Sequence, residues 1–270
     1  MAKKDVFDIV NEKFDKRIKR ETLIIDAERF KTYDEVFDQQ NLDNIYRLMR
    51  RGRITTVECP VSTGKEANVY KANTDEGLAA VKIFRTSTST FGNFLQYIDG
   101  DRRFQKIDRS KRGIIYTWAR KEYVNLETMH EAGLSVPEPR ALFRNILIMD
   151  YVQYEGKPAP QIKFLDAELD EWEEMWRSTL EFVKRIFMDC ELVHADLSEY
   201  NILYTGELVF IDVGQSVHKE HPMAKELLKR DMKVISTFFE KKGIKSAKEE
   251  AEALREELMS SFAEDEEKTL

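Results

Sequence analysis

At 270 residues the chain has room for one large domain or two lobes sharing a cleft, and its 42% apolar and 34% charged residues exclude a disordered polymer. Its 43 basic and 50 acidic residues give a net charge of −7, which excludes coating of nucleic acid by bulk electrostatics; no DNA partner is expected, and any RNA contact has to be local. No apolar run suits a signal peptide or a membrane span, and Cys59 and Cys190 fit no metal-ligand spacing, so the expectation is a cytoplasmic protein with reduced thiols and no membrane contact.

In chain order, residues 1–52 read as a charge-rich helical extension, in which Asn41 opens a helix carried by Leu42, Ile45, Tyr46 and Met49 and stopped at Gly52. Arg47, Arg50, Arg51 and Arg53 read as its solvated end. Strand-like segments at 55–59, 68–73 and 78–84, separated by Gly64 and the turn 74–77, predict a small hairpin-rich sheet. Residues 85–112, polar and weakly periodic, predict a long, partly mobile insertion. A helix from about Gly113 to Ala132 stops at Gly133, and strands at 140–143 and 146–152 complete an N-terminal lobe over 53–152. Residues 153–161, with Gly156, Pro158 and Pro160, have hinge composition. Residues 162–270 form a mostly helical lobe, with helices near 167–190, 222–240 and 245–262, a strand-loop-strand insert at 191–212 and an acidic solubilising tail at 263–267.

The insert carries the chemistry. Phosphoryl transfer needs a carboxylate to orient the acceptor hydroxyl and oxygen ligands for a magnesium ion that bridges the nucleotide phosphates. Asp196 and Asn201 lie five residues apart, and Asp212-Val213-Gly214 follows the next strand, the spacing of a kinase catalytic loop and metal loop. Asn201 and Asp212 offer a carbonyl and a carboxylate to Mg²⁺, leaving Asp196 to act as base. His194 reads as a hydrogen-bonding brace. Upstream, alternation puts Ala79, Val81 and Ile83 on one strand face and Lys82 on the other with Ala80 and Phe84, where a cation calls for a partner. Glu122 is that partner, because it interrupts the apolar stripe Ile115, Trp118, Leu126 and Met129 of the following helix. Residues 62–70 occupy the place of a phosphate-covering loop but form no Walker A, since Cys59 and Glu66 stand where that motif needs Gly and Ser or Thr, and Gly64 is the loop's one glycine.

With these residues in view, the chain resembles the RIO family of atypical serine/threonine protein kinases, first subfamily, over roughly residues 45–240; the strings at 62–70, 192–203 (LVHADLSEYNIL) and 211–215 (IDVGQ) carry the likeness. The resemblance implies an α+β bilobal kinase fold, with a small β-rich N-lobe and a mostly helical C-lobe lacking the activation segment and peptide-binding helices. It implies ATP with Mg²⁺ or Mn²⁺, serine autophosphorylation, ATPase activity, and a role in maturation of the small ribosomal subunit, whose precursor particle (protein and rRNA) is then the partner. By the same likeness Asp196 is the catalytic base, Asn201 and Asp212 hold metal, and Asp212 also takes phosphate as a transient aspartyl-phosphate. Lys82 acts on the phosphates together with Ser62 and Lys65, Glu122 supports it, and Asp150 and Val152 offer hinge backbone groups to adenine.

The departures from ordinary kinases carry their own expectations. Ala195 replaces the arginine that reads a phosphorylated activation loop, so activity should not depend on such phosphorylation. No Ala-Pro-Glu follows Gly214, so peptides should bind poorly. Autophosphorylation is expected among Ser87, Ser89 and Ser110, with Ser110 chosen, and His218 with His221 reads as no metal pair. Two other functions stay open on the sequence: a small-molecule kinase of the aminoglycoside or choline type, and an ATP-gated ribosome assembly factor.

Overall fold

Alternation along the third strand sets up the first half of the molecule. In the computed structural model, which describes residues 39–86 and 91–267, helix α1 (Gln39–Arg50) precedes the strands β1 (Thr56–Thr63), β2 (Ala67–Thr74) and β3 (Gly77–Phe84). Helices α2 (Phe91–Ile98) and α3 (Lys111–Glu131) follow, then β4 (Pro139–Phe143) and β5 (Ile146–Asp150), which close one antiparallel sheet in the order β1-β2-β3-β5-β4. Ala79, Val81 and Ile83 pack with Ile146 and Ile148 under Ile45 and Leu48 of α1. The opposite face, with Lys82 and Phe84, looks toward α3. A buried amide network pins α1: Asn145 Nδ2 donates to Asn41 Oδ1 (2.8 Å) and to the Phe84 carbonyl (2.8 Å), while its Oδ1 accepts from Asn44 (3.3 Å). The arginines at the helix end are exposed, and Gly52, at φ 69°, supplies the left-handed stop. Residues 1–38 of the expected extension lie outside the described residues.

At the expected hinge, β6 (Gln153–Tyr154) and β7 (Lys157–Pro158) form a minimal hairpin. The second half is built on α4 (Leu169–Met188), α5 (Ala224–Lys241) and α6 (Ala247–Glu267). Trp172, Trp176 and Phe239 pack at the α4–α5 contact, the last two with ring centroids 5.1 Å apart. Between α4 and α5 lie β8 (Leu192–Val193), β9 (Ile202–Tyr204), β10 (Leu208–Phe210) and β11 (Val217–His218), paired as β9 with β10 and β8 with β11. Among the described residues no helix is long and apolar enough to cross a membrane. Cys190 is a free, buried thiol whose pKa burial pushes up to about 11.

One expectation is corrected. The stretch read as a mobile insertion holds α2, the 3₁₀ turn Arg102–Phe104 and the cap of α3. Phe94 and Ile98 are buried, and Phe94 stacks on Trp118 with centroids 4.3 Å apart, so apolar residues at helical spacing outweighed the polar flanks. Ser87 and Ser89 lie outside the described residues, and Ser110 is the N-cap of α3, its Oγ accepting from Gly113 N (3.1 Å). Helix α6 extends through the acidic segment 263–267.

Gly113 sits where Asp108 folds back over the start of α3: a Cβ there would stand 2.2 Å from the Asp108 carbonyl oxygen. Gly113→Ala is therefore expected to destabilise by ~1–3 kcal/mol. Calorimetry should show a lowered Tm, whereas Gly92→Ala on α2, with nothing within 4 Å of its Cβ, should hold or slightly raise it.

Candidate active site

Where the sheet meets the helical half, three elements converge on one ammonium group. Lys82, 7% exposed on β3, donates to both carboxylate oxygens of Glu122 on α3 (2.7 and 2.8 Å) and also to the Asp212 carboxylate. Burial opposes the lysine charge, but Asp212 and Glu122 outweigh it and lift its pKa above the ordinary range. Burial likewise pushes the Glu122 carboxyl upward against the pull of Lys82. Lys82 holds Asp212 below the usual carboxylate range and thus ionised, with about half of that side chain exposed. Gly214 is closely packed: a Cβ there would lie 3.0 Å from Glu122 Oε2 and 3.5 Å from Trp118, so that Glu122 would have to give way by a few tenths of an ångström.

Asp196 and Asn201 stand on the neighbouring loop between β8 and β9. Asn201 Nδ2 donates to the Asp196 carbonyl (2.8 Å) and to Asp196 Oδ2 (3.2 Å), and the Asn201 carbonyl accepts from Ile211 N (2.9 Å), tying the loop to the strand that leads into Asp212. Burial first, and then the charge of Asp212, raise the Asp196 pKa. His194 is the brace expected of it. Its Nε2 lies 3.2 Å from the Ile211 carbonyl and its Nδ1 accepts from Asp196 N (3.3 Å), the pattern of a neutral imidazole, and burial lowers its pKa to about 4.

Ser62 and Lys65 are exposed, at the end of β1 and in the β1–β2 turn. Asp150 ends β5 and pairs with Arg140 (2.7 Å), its N–H donated to the Glu138 carbonyl (2.9 Å). Val152 follows, its carbonyl accepting from Ala159 N (3.2 Å).

Sequence reasoning missed several neighbours. Glu66, beside Lys65, has its pKa raised by burial and feels the charges of Lys82, Asp212 and Asp196. Asp231 on α5 accepts the N–H groups of Ala195 (2.7 Å) and Leu197 (3.2 Å), and Arg230 donates to the Ala195 carbonyl. Burial pushes Asp231 up to about 7. The signal for Asp231 was present: like Glu122, it is a carboxylate inside an apolar helical stripe, here Leu227, Leu228, Met232 and Ile235.

A five-stranded sheet seated on a helical half, with a strand lysine ion-paired to a helix glutamate and an Asp/Asn/Asp set on the adjoining loops, defines the protein-kinase class. The model of the RIO domain matches residues 68–253. The chain is 40% identical over 220 residues to the RIO-type serine/threonine-protein kinase Rio1 of Haloferax volcanii, covering 81% of this chain and 75% of that protein. To the Methanocaldococcus jannaschii Rio1 it is 41% identical, covering 80% and 74%. The likeness to the Caenorhabditis elegans serine/threonine-protein kinase RIO1 is 37% over 85% of this chain, and the match takes in only 46% of that longer protein. A solved structure of Chaetomium thermophilum Rio2 kinase, in an ADP/Mg²⁺-phosphoaspartate complex, is similar in fold, with a TM-score of 0.57 at 21% identity over 79% of this chain and 67% of that one. The chain belongs to the RIO family, on its Rio1-type serine/threonine kinase branch.

The neutral His194 makes acid stability testable. An unfolded histidine titrates near 6.5, whereas the folded one stays neutral down to about 4, so as pH falls through that window the unfolded state binds more protons and stability drops. The loss, complete below about pH 4, is on the order of 3 kcal/mol from this group. Melting curves from pH 7 to pH 4 should show a shallower acid slope for His194→Gln than for wild type; parallel slopes would contradict the assignment.

Proposed function

We propose that this chain is an ATP-dependent serine/threonine kinase, using Mg²⁺ or Mn²⁺, that autophosphorylates on serine, also hydrolyses ATP, and works in the cytoplasm on the precursor of the small ribosomal subunit, protein and rRNA together. The observation that carries the catalytic part is the convergence of Lys82, Glu122 and Asp212, with Asp196 and Asn201 bonded to each other on the adjoining loop. The ribosomal part rests on the family likeness.

The donor set suits a magnesium ion. Asn201 commits its amide nitrogen to Asp196, which leaves its carbonyl oxygen to a cation, and Asp212 is ionised with its carboxylate reaching solvent. Two hard protein oxygens are right for Mg²⁺, whose other positions phosphates and water fill. When bound, the ion neutralises charge on the transferring phosphoryl group. The protein's own tasks are positional. Lys82 meets phosphate oxygens together with Ser62 and Lys65, and Glu122 keeps that ammonium on station. Asp150 and Val152 would offer hinge backbone groups to adenine. Asp196, its pKa raised, orients the serine hydroxyl and accepts its proton late.

A second reading is favoured by the half-exposed, ionised Asp212 and by the phosphoaspartate of the Rio2 relative. A carboxylate oxygen of Asp212 attacks the γ-phosphorus, the bond to the bridging oxygen breaks, and ADP departs with the electron pair. Water then hydrolyses the acyl phosphate and releases inorganic phosphate. This cycle suits an ATP-gated assembly factor.

With γ-labelled ATP and Mg²⁺, Asp196→Asn should lose serine labelling by ~10²–10⁴-fold while still binding nucleotide, and wild-type labelling by that variant would refute the base assignment. Hydroxylamine-labile label should persist in Asp196→Asn and vanish in Asp212→Asn. Because Ala195 occupies the arginine position, phosphatase pretreatment should leave ATP turnover unchanged; a dependence on pretreatment would show that phosphorylation does control the enzyme.

A further inference from the structure

The segment 99–104 is docked against the metal loop through a polar relay that catalysis as described above does not use. Asn125 on α3 donates its Nδ2 to the carbonyls of Val213 (2.7 Å) and Ser216 (3.1 Å), spanning the 3₁₀ turn that follows Asp212. Its Oδ1 accepts from Arg103 Nη1 (2.8 Å). A guanidinium has donors only, so Arg103 can pair only with the amide oxygen, and this fixes the flip that points the amide nitrogen at the two loop carbonyls. Arg103 is held in turn by Asp101, through Nε to Oδ1 (3.0 Å) and Nη2 to Oδ2 (2.7 Å), the Asp101 side chain being fully buried. Lys121, one helical turn before Asn125 and fully buried, donates to the same Ser216 carbonyl, with Asp101 3.9 Å away as its counter-charge. Beyond the loop, His221 Nε2 lies 2.8 Å from the Asp99 carbonyl, and a Cβ on Gly100 would stand 2.9 Å from Pro222, so the two segments are in close contact along their length.

The relay matters because of the backbone it holds. Asp212 is left-handed, at φ 62° and ψ 45°, a sparsely populated conformation for a residue with a Cβ, kept only where the surroundings over-determine it. The carbonyls of residues 213 and 216 are two of the groups through which the surroundings do so.

We propose that Arg103 and Asn125 are positioning residues of the phosphotransfer site: the chain Asp101–Arg103–Asn125 sets the backbone of the metal loop, and thereby the reach of Asp212 toward a bound cation. The turn at residues 101–103, between α2 and α3, thus governs metal affinity from outside the nucleotide site. This rests on the reading of Asp212 as a ligand of the magnesium ion that accompanies ATP.

The test is the Mg²⁺ concentration for half-maximal ATP turnover, measured at saturating ATP on the full chain. Asn125→Asp keeps the shape and the Arg103 pair but replaces the donor facing two carbonyls with an acceptor. It should raise the Mg²⁺ requirement by about ten-fold or more, the usual effect of losing an outer partner of a metal ligand. Arg103→Ala should do the same, and Arg103→Lys, which keeps the charge but loses the planar fork, should fall between it and wild type. A purely structural role would lower Tm and leave the Mg²⁺ curve where it was. Mg²⁺-dependent turnover by wild type, with a raised Mg²⁺ requirement in whatever turnover Asp212→Asn retains, supports the underlying reading, and on that background an unshifted curve in Asn125→Asp overturns the relay. If that variant fails to fold, the two Arg103 variants decide by the same criterion. A wild type without Mg²⁺-supported turnover overturns the reading of the site, and the relay with it.

Discussion

One buried ammonium group organises the molecule. Removing a partner from a buried ion pair costs ~3–5 kcal/mol, because the survivor is left desolvated and alone. Lys82 therefore constrains three elements at once: β3 has to present it, α3 has to bring Glu122 beneath it, and the metal loop has to deliver Asp212. The apolar contacts around this cluster are numerous but interchangeable in kind; the placement of these charges is not. Gly214 shows how little room is left, since the loop passes so close to Glu122 that a methyl group would meet a carboxylate oxygen.

The two loops of the site are held from opposite sides. Helix α3 grips the metal loop through Lys121 and Asn125, and helix α5 grips the catalytic loop through Asp231 and Arg230, which engage both backbone polar groups of Ala195. Ala195 is itself left-handed, at φ 66°, so each loop contains a residue in a disfavoured conformation restrained by a buried helix side chain. A neutral His194 bridges them, with one ring nitrogen on each.

What was legible in the sequence follows a physical rule. Lys82 and Glu122 could be paired because each is a charge on an apolar face, and a misplaced charge announces a partner. The β-rich first half, the helical second half and the helix ends at Gly52 and Gly133 followed from periodicity and from left-handed glycines. Asp231 obeyed the same rule but was passed over, because its partners are backbone N–H groups, which no residue type advertises. Lys121 and Asn125 were illegible for a related reason: they bond to carbonyls close to ninety positions away, and such a contact leaves no mark on local pattern. Helix α2 was hidden by its polar flanks, although Phe94 and Ile98 carried helical spacing.

The stacking of Phe94 on Trp118 has a practical corollary. Of the three tryptophans, Trp172 and Trp176 are buried on α4 against Phe239 of α5, while the Trp118 indole lies against α2 on one side and beside Gly214 of the metal loop on the other. Its emission spectrum is thus a label-free optical gauge of that junction, and in a protein whose other two indoles are replaced by phenylalanine it would follow ligand-driven rearrangement in real time.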